Sequence, residues 1–100
     1  MNHHNKRIWK HLTDEEFHAF LKIKAHKLKQ KIIELLIISN EPLYQAQIAK
    51  KLKKTSSGIK FHLNELIKMN MIEKYRDGRY LFYKLSENGL KIYDTIKEYI

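Results

Sequence analysis

Between Leu43 and Leu85 the chain reads LYQAQIAKKLKKTSSGIKFHLNELIKMNMIEKYRDGRYLFYKL, and the order of patterns there restricts the fold more than any other feature. Leu43 and Tyr44 form a short extended link. Gln45 to Leu52 has helical spacing, with Ala46, Ile48, Ala49 and Leu52 available inward. Lys53 and Lys54 fill a turn, and Thr55, Ser56 or Ser57 offers the N-cap hydroxyl of a second helix running to about Asn70. Ile72–Tyr75 and Tyr80–Leu85 are aromatic and β-branched. Arg76-Asp77-Gly78-Arg79 between them contains the Asp-Gly signal of a tight hairpin. Helix, turn, helix and hairpin in this order suit a module that sets a helix in the major groove of DNA and touches the backbone with the hairpin.

The second helix of the pair is the most informative. At 100° per residue, Ile59, Leu63, Leu66 and Ile67 fall on one side, which must face a core. Ser57, Lys60, Phe61, Asn64 and Lys68 fall on the other, with Ser56 at the N-terminal approach. Hydroxyls, an amide and cations suit groove reading: Asn64 can pair with adenine, and Ser56, Ser57 and Lys60 can take phosphate or base edges. Phe61 either packs on thymine methyl groups or folds against a neighbour. Arg76 and Arg79 either enter a minor groove or fork onto phosphate, or else keep the hairpin soluble. Lys50, Lys51, Lys53 and Lys54 make a basic shoulder suited to salt-dependent attraction, with a plain solvated face as the alternative.

The charge agrees with that placement. The formal charge is +9, and residues 44–70 hold six Lys/Arg against one Asp/Glu, whereas residues 86–100 hold two against three. A polyanion is the first partner this implies. One hundred residues make one domain with a modest core and no room for a large catalytic cleft. Without cysteine there is no disulfide framework, thiolate metal site or Cys nucleophile. No apolar run approaches a membrane span and the N-terminus lacks the apolar stretch of a secretory signal, so a cytoplasmic protein is expected. Nucleophile motifs, phosphate loops and paired carboxylates are absent, and no enzyme is expected. His11, His18 and His26 lie two helical turns apart, too far for one ion, and His62 beside the core face suits a local hydrogen bond. No metal and no cofactor is expected, and no residue pattern names a small-molecule effector.

The organisation outside the central segment is simpler. Residues 1–12 read as a flexible basic arm and residues 13–100 as a single domain, with the helix pair at 45–70, the hairpin at 72–85 and a C-terminal helix at 86–100. Thr13 with Glu16 has the form of a capping box. From there to Ser39 nothing breaks a helical pattern carrying Phe17, Phe20, Leu21, Leu28, Ile32, Leu35 and Leu36, with Ile38 a weaker member. Its Lys-rich middle allows either one long helix or two meeting near Ala25. Asn40 and Pro42 end it. Ser86 caps the last helix, where Leu90, Tyr93, Ile96 and Ile100 line one face, with Tyr99 beside them. These residues, with Phe17, Phe20 and Leu21, exceed what one small core needs and form a candidate homodimer interface, closure of the monomer's own core being the alternative.

The segment over residues 26–93 resembles the winged helix-turn-helix of ArsR-type regulators, and more loosely the MarR and PadR groups. QAQIAKKL is similar to their first helix, SSGIKFHLNELIKMNMI to their recognition helix, and IEKYRDGRYLFYKLSENGL to their wing and the start of their last helix. The resemblance implies an α+β, mostly α, winged-helix fold with a two-stranded wing, flanked by N- and C-terminal helices. It puts Ser56, Ser57, Lys60, Phe61 and Asn64 at groove-facing positions, matches His62-Leu63 to a frequent His-Leu pair, and sets Arg76 and Arg79 on the wing. The expectation as a whole is a transcriptional regulator of double-stranded DNA, acting as a homodimer because two half-sites multiply specificity and affinity in a reader of this size, with repression the expected sign. The chain departs from metal-sensing members, having neither Cys pairs in the recognition helix nor His in the last helix, where Asp94 and Glu98 stand. The extension before residue 25 is longer than the family's minimal pattern. A protein-interaction adaptor and a non-specific architectural DNA-binding protein are the competing expectations.

Overall fold

The computed structural model describes residues 11–100, and the arm expected over residues 1–12 falls outside them as far as residue 10. Leu12 is already part of the core at 8% exposure. Helix α1 (Asp14–Ala25) opens on the expected capping box: the Glu16 amide donates to Thr13 Oγ1 at 3.1 Å, and the Thr13 amide donates to Glu16 Oε1 at 2.9 Å. Asp14, Glu15 and Glu16 in its first turn also complement the helix dipole.

The Lys-rich stretch holds two helices. His26 leaves helical geometry (φ −133°, ψ 98°) and separates α1 from α2 (Lys27–Ser39). The break lets each helix bury its own face: Ala19, Phe20 and Ile23 on α1, and Ile32, Ile33 and Leu36 on α2. Asn40 ends α2 in the left-handed conformation at φ 54°, which an asparagine tolerates, and Pro42 follows.

Leu43 and Tyr44 are more than a link. They form β1 (Leu43–Tyr44), whose partners are Tyr83 and Phe82 on β3 (Tyr80–Leu85). With β2 (Ile72–Asp77) they make a three-stranded antiparallel sheet in the order β1-β3-β2, so the hairpin gains a third strand on one edge. Opposed residues share a face. Leu43, Tyr83 and Lys74 lie on the core side, and Tyr44, Phe82 and Tyr75 on the other.

The hairpin loop also differs from the expected Asp-Gly centre. Asp77 pairs with Tyr80, so the two loop residues are Gly78 and Arg79. Gly78 has φ 63° and Arg79 is not in the left-handed region, the pattern of a type II′ turn with Gly first. This turn needs a positive φ at one position only, and Gly78 supplies it.

Helices α3 (Gln45–Leu52) and α4 (Ser56–Lys68) follow the expected bounds closely. On α3, Ile48 and Ala49 are buried, while Ala46 is exposed rather than inward. Ser86 caps α5 (Glu87–Ile96) as expected, its Oγ accepting from the Gly89 amide at 2.8 Å and donating to the Asn70 carbonyl at 2.8 Å. Gly89 is required by space. A Cβ there would lie 1.9 Å from the Met71 carbonyl oxygen, where the start of α5 crosses the chain leaving α4. A short 3₁₀ turn, Lys97–Tyr99, finishes the chain.

The core joins the five helices described above to the inner sheet face. Ile23, Ile32, Ile33, Ile48, Ile59, Leu63, Leu66, Met71 and Ile96 are fully buried in it. At about 1.5–3 kcal/mol for each large aliphatic side chain, this burial supplies the main favourable term in folding. Tyr93 contributes a polar tie, its hydroxyl donating to Glu34 Oε2 at 2.7 Å across α5 and α2. Burial, reinforced by that bond, pushes the Tyr93 phenol up to about 12.

Candidate nucleic-acid interface

The turn between α3 and α4 holds the two helices at a defined angle without glycine. Lys53 closes α3 in the left-handed conformation (φ 57°), its amide donating to Lys50, and the Lys54 amide donates to Ala49 at 2.9 Å. Thr55, the first of the three candidate caps, takes the N-cap role, and its Oγ1 accepts from the Gly58 amide at 3.1 Å. Gln45, at the start of α3, then reaches across the turn. Its Nε2 donates to the Ser56 carbonyl at 2.9 Å and to Ser56 Oγ at 2.8 Å. This clamp was not legible in the sequence, because a polar residue in a first helical turn has many uses.

Helix α4 divides sharply into two faces. Ile59, Leu63 and Leu66 are 0% exposed, and Ile67 is partly buried against the same cluster. Ser56, Ser57, Lys60, Phe61 and Asn64 are all exposed along the opposite side, as are Lys53 and Lys54 in the turn and Arg76 and Arg79 on the hairpin. No acidic residue occupies the first turn of α4, so its free amides and the positive end of its dipole stay open to an anion. Every residue selected for DNA contact is therefore available to one.

What orients this helix from behind is a buried lysine. Lys29 on α2 is 0% exposed, and its Nζ lies 2.9 Å from His62 Nδ1 on α4. The ammonium donates, so Nδ1 accepts and the ring proton resides on Nε2. The same Nζ stands 5.3 Å from the centre of the Phe61 ring, close enough for a cation–π contact. Phe61, 58% exposed, thus rests on a neighbour while still showing most of its surface to solvent. His26, at the break between α1 and α2, packs its ring 5.3 Å from that of His62.

The cluster's electrostatics follow from its burial. Desolvation lowers Lys29, Glu65 opposes the shift and Lys22 adds to it. His62 is lowered first by desolvation, then by the charges of Lys29 and His26, with Glu65 again opposing. A neutral His62 beside a lysine donor is the consistent protonation pattern. Nothing in the sequence marked Lys29 as buried, since lysines surround it and it lies in the stretch that looked most solvated. His62 does hydrogen-bond, but its partner lies on α2, far away in the chain, and is not the local one expected.

The candidate interface between copies needs correction. Phe20, Tyr93 and Ile96, at 5%, 5% and 0% exposure, are taken up by the chain's own core and have no surface left for a partner. The pairing of α1 with α5 inside one chain is the reason: Phe20 meets Tyr99 edge-to-face, with ring centres 6.5 Å apart. Phe17, Tyr99 and Ile100 are partly buried against the same core, which leaves Leu21 and Leu90, 49% and 50% exposed, as the open members. His11, His18 and His26 form no common site, and among the described residues no group of three potential ligands is placed to hold a metal ion. None of the described helices is long and apolar enough to cross a membrane.

Comparison with known proteins agrees with this geometry. Residues 26–74 match the model of bacterial regulatory proteins of the arsR family. No curated protein sequence matches the chain. Among solved structures, a possible transcriptional regulator for arsenical resistance superposes with a TM-score of 0.66 at 20% identity, over 88% of this chain and 84% of its own. MepR, a transcription regulator of the Staphylococcus aureus multidrug efflux pump MepA, gives 0.65 at 20% identity, over 99% and 76%. BldR of Sulfolobus solfataricus gives 0.60 at 19% identity over 73% of this chain, and ZitR of Lactococcus lactis 0.59 at 22% over 73%. The chain spans about half the length of these last two, 56% and 49%. The segment from His26 to Lys74 thus matches the arsR-family model, and the chain as a whole has the winged-helix fold of these solved regulators.

Proposed function

We propose that the protein is a sequence-specific transcriptional regulator that binds duplex DNA through α4 and the wing. The observation that carries this reading is the division of α4: an inner face sealed into the core, and an outer face on which Ser56, Ser57, Lys60, Phe61 and Asn64 stand exposed. Asn64 and Lys60 read base edges, Ser56 and Ser57 meet phosphate at the helix N-terminus, and Phe61 packs on thymine methyl groups. Arg76 and Arg79 take the minor groove or the backbone, and Lys53 and Lys54 add salt-dependent affinity.

The working unit in this reading is a homodimer in the cytoplasm, which blocks transcription by occupying its site. Two copies double the contacts and require two half-sites. Leu21 and Leu90 offer exposed apolar side chains for pairing, while Phe17, Tyr99 and Ile100 are already partly buried against the core. Sedimentation of the purified chain tests the pairing, and a monomer at DNA-binding concentrations would refute it. Selection from a random DNA pool at near-physiological salt tests the rest. A two-fold symmetric motif, whose central preferences are lost in Asn64→Ala, is the expected outcome. Tight binding with no motif would replace specific regulation with an architectural role.

A protein-adaptor reading draws on one observation, the 58% exposure of Phe61 on a helix face otherwise polar. Salt separates the two. Binding through many cations weakens steeply as salt rises, and an apolar protein contact does not.

A further inference from the structure

The outer face of the sheet, remote in sequence from the reading face of α4, carries a continuous array of aromatic rings. Tyr44 on β1 lies 4.9 Å from Tyr80 and 5.9 Å from Phe82, centre to centre. Phe82 in turn stacks on Tyr75 at 5.7 Å, with the ring planes 23° apart. The register places all four on the face opposite buried Leu43 and Tyr83. Cross-strand packing accounts for Phe82 at the centre of the array. It does not require Tyr75 and Tyr80 to present such large aromatic surfaces to water, yet they are 42% and 48% exposed.

The border of this array is basic. Tyr44 shares an open groove of about 570 Å³ with Lys50 and Lys51 of α3. Lys84 holds its Nζ 5.8 Å from the Tyr75 ring centre, and meets the neighbouring Glu73 at 3.8 Å. Asp77 is the other acidic group on that face. Flat rings for stacking beside cations for a backbone are the two parts of a surface that holds unpaired bases, because every base has a π-face and every nucleotide a phosphate.

We propose that this face is a second nucleic-acid site, one that binds single-stranded DNA by stacking bases on Tyr44, Tyr75 and Tyr80 while Lys50 and Lys51 hold the phosphates. Tyr80 directly follows Arg79 at the wing tip, so the strand it meets is an opened portion of the DNA the wing touches. That choice of DNA over RNA rests on the duplex reading above; the stacking chemistry does not.

The test is titration of the full chain with a labelled short oligothymidine at near-physiological salt, alongside an abasic strand of equal length and charge. The expected result is saturable binding that the abasic strand lacks, and that Tyr80→Ser and Tyr75→Ser each weaken about tenfold. Both tyrosines are exposed, and thermal melting confirms that the variants fold. Asn64→Ala should leave oligothymidine binding intact, so failure of the duplex reading and failure of this one are told apart. Equal binding of the abasic strand, or indifference to both tyrosine variants, would reduce the site to general cation attraction and overturn the proposal. No binding would overturn it in favour of a protein partner. Tighter binding of the equivalent oligouridine would overturn the assignment to DNA.

Discussion

The two faces of α4 are built from neighbouring residues of one helix and obey different rules. Its inner face, Ile59, Leu63 and Leu66, is apolar, fully buried and dictated by packing density. Its outer face, Lys60, Phe61 and Asn64, is exposed, makes little contribution to folding and is free to be chosen for contact with something else. His62 stands on the border, hydrogen-bonded to a lysine that packing has hidden. The contrast teaches that the helix is oriented from behind and leaves its front open for contact. Changes on the two sides should therefore separate stability from binding.

Leu63→Ala should produce the largest effect. Removing a side chain that is 0% exposed should cost about 2–5 kcal/mol of stability. A thermal melt should show Tm falling by on the order of 15 °C, and a shift of only a degree or two would mean that α4 is not held by its inner face. Asn64→Ala and Lys60→Ala should leave Tm nearly unchanged, within about 0.5 kcal/mol. On a selected duplex each should lose about 1–3 kcal/mol of affinity or discrimination, readable by fluorescence anisotropy. If either one lowers Tm as far as Leu63→Ala does, the two faces are not independent.

The border residue gives a smaller and pH-dependent effect. His62 is lowered from its ordinary value of 6.5 in the folded protein, so as pH falls below 6.5 the unfolded chain binds the proton first. The contribution of His62 to stability is therefore fully present above pH 6.5 and is lost as pH falls from there through the folded value. Lys29 has the same sign in the alkaline range, since its folded value lies below 10.5. Replacing Lys29 by Met keeps the buried stem and removes the charge. NMR titration of His62 in Lys29→Met should show its pKa rising, and an unchanged value would mean that the lysine does not act on the ring. The smallest effect belongs to the turn: Lys53→Ala should reduce the salt slope of duplex binding by about one and leave sequence preference alone.

The sequence was most legible where a local pattern and a local structure share one cause. The Thr13 and Ser86 caps, the left-handed Asn40, the bounds of α4 and its division into faces follow from interactions within a few residues. It was less legible where distant segments decide. Leu43 and Tyr44 read as a link because nothing nearby shows that β3 will pair with them. The hairpin loop falls one residue later than the Asp-Gly signal because strand register, set across six residue pairs, selects which residues turn. Phe20, Tyr93 and Ile96 looked like surplus apolar surface, since the packing of α1 on α5 that consumes them joins opposite ends of the chain.

The candidate site divides in the same way. Ser56, Ser57, Lys60, Phe61 and Asn64 were legible because helical periodicity alone puts them opposite a core face. The clamp from Gln45, the Lys29 support and the aromatic sheet face were not, each being a meeting of residues that lie apart in sequence. By itself, the sequence determined the order of the helix pair and hairpin, the caps at Thr13 and Ser86, the buried and open sides of α4 and the basic charge over the helix pair, all of which depend on short-range periodicity and composition. Tertiary structure alone decided which lysine is buried, which apolar residues remain open and which rings meet. Those outcomes depend on how whole helices and strands pack, and a one-dimensional pattern carries no distance between elements.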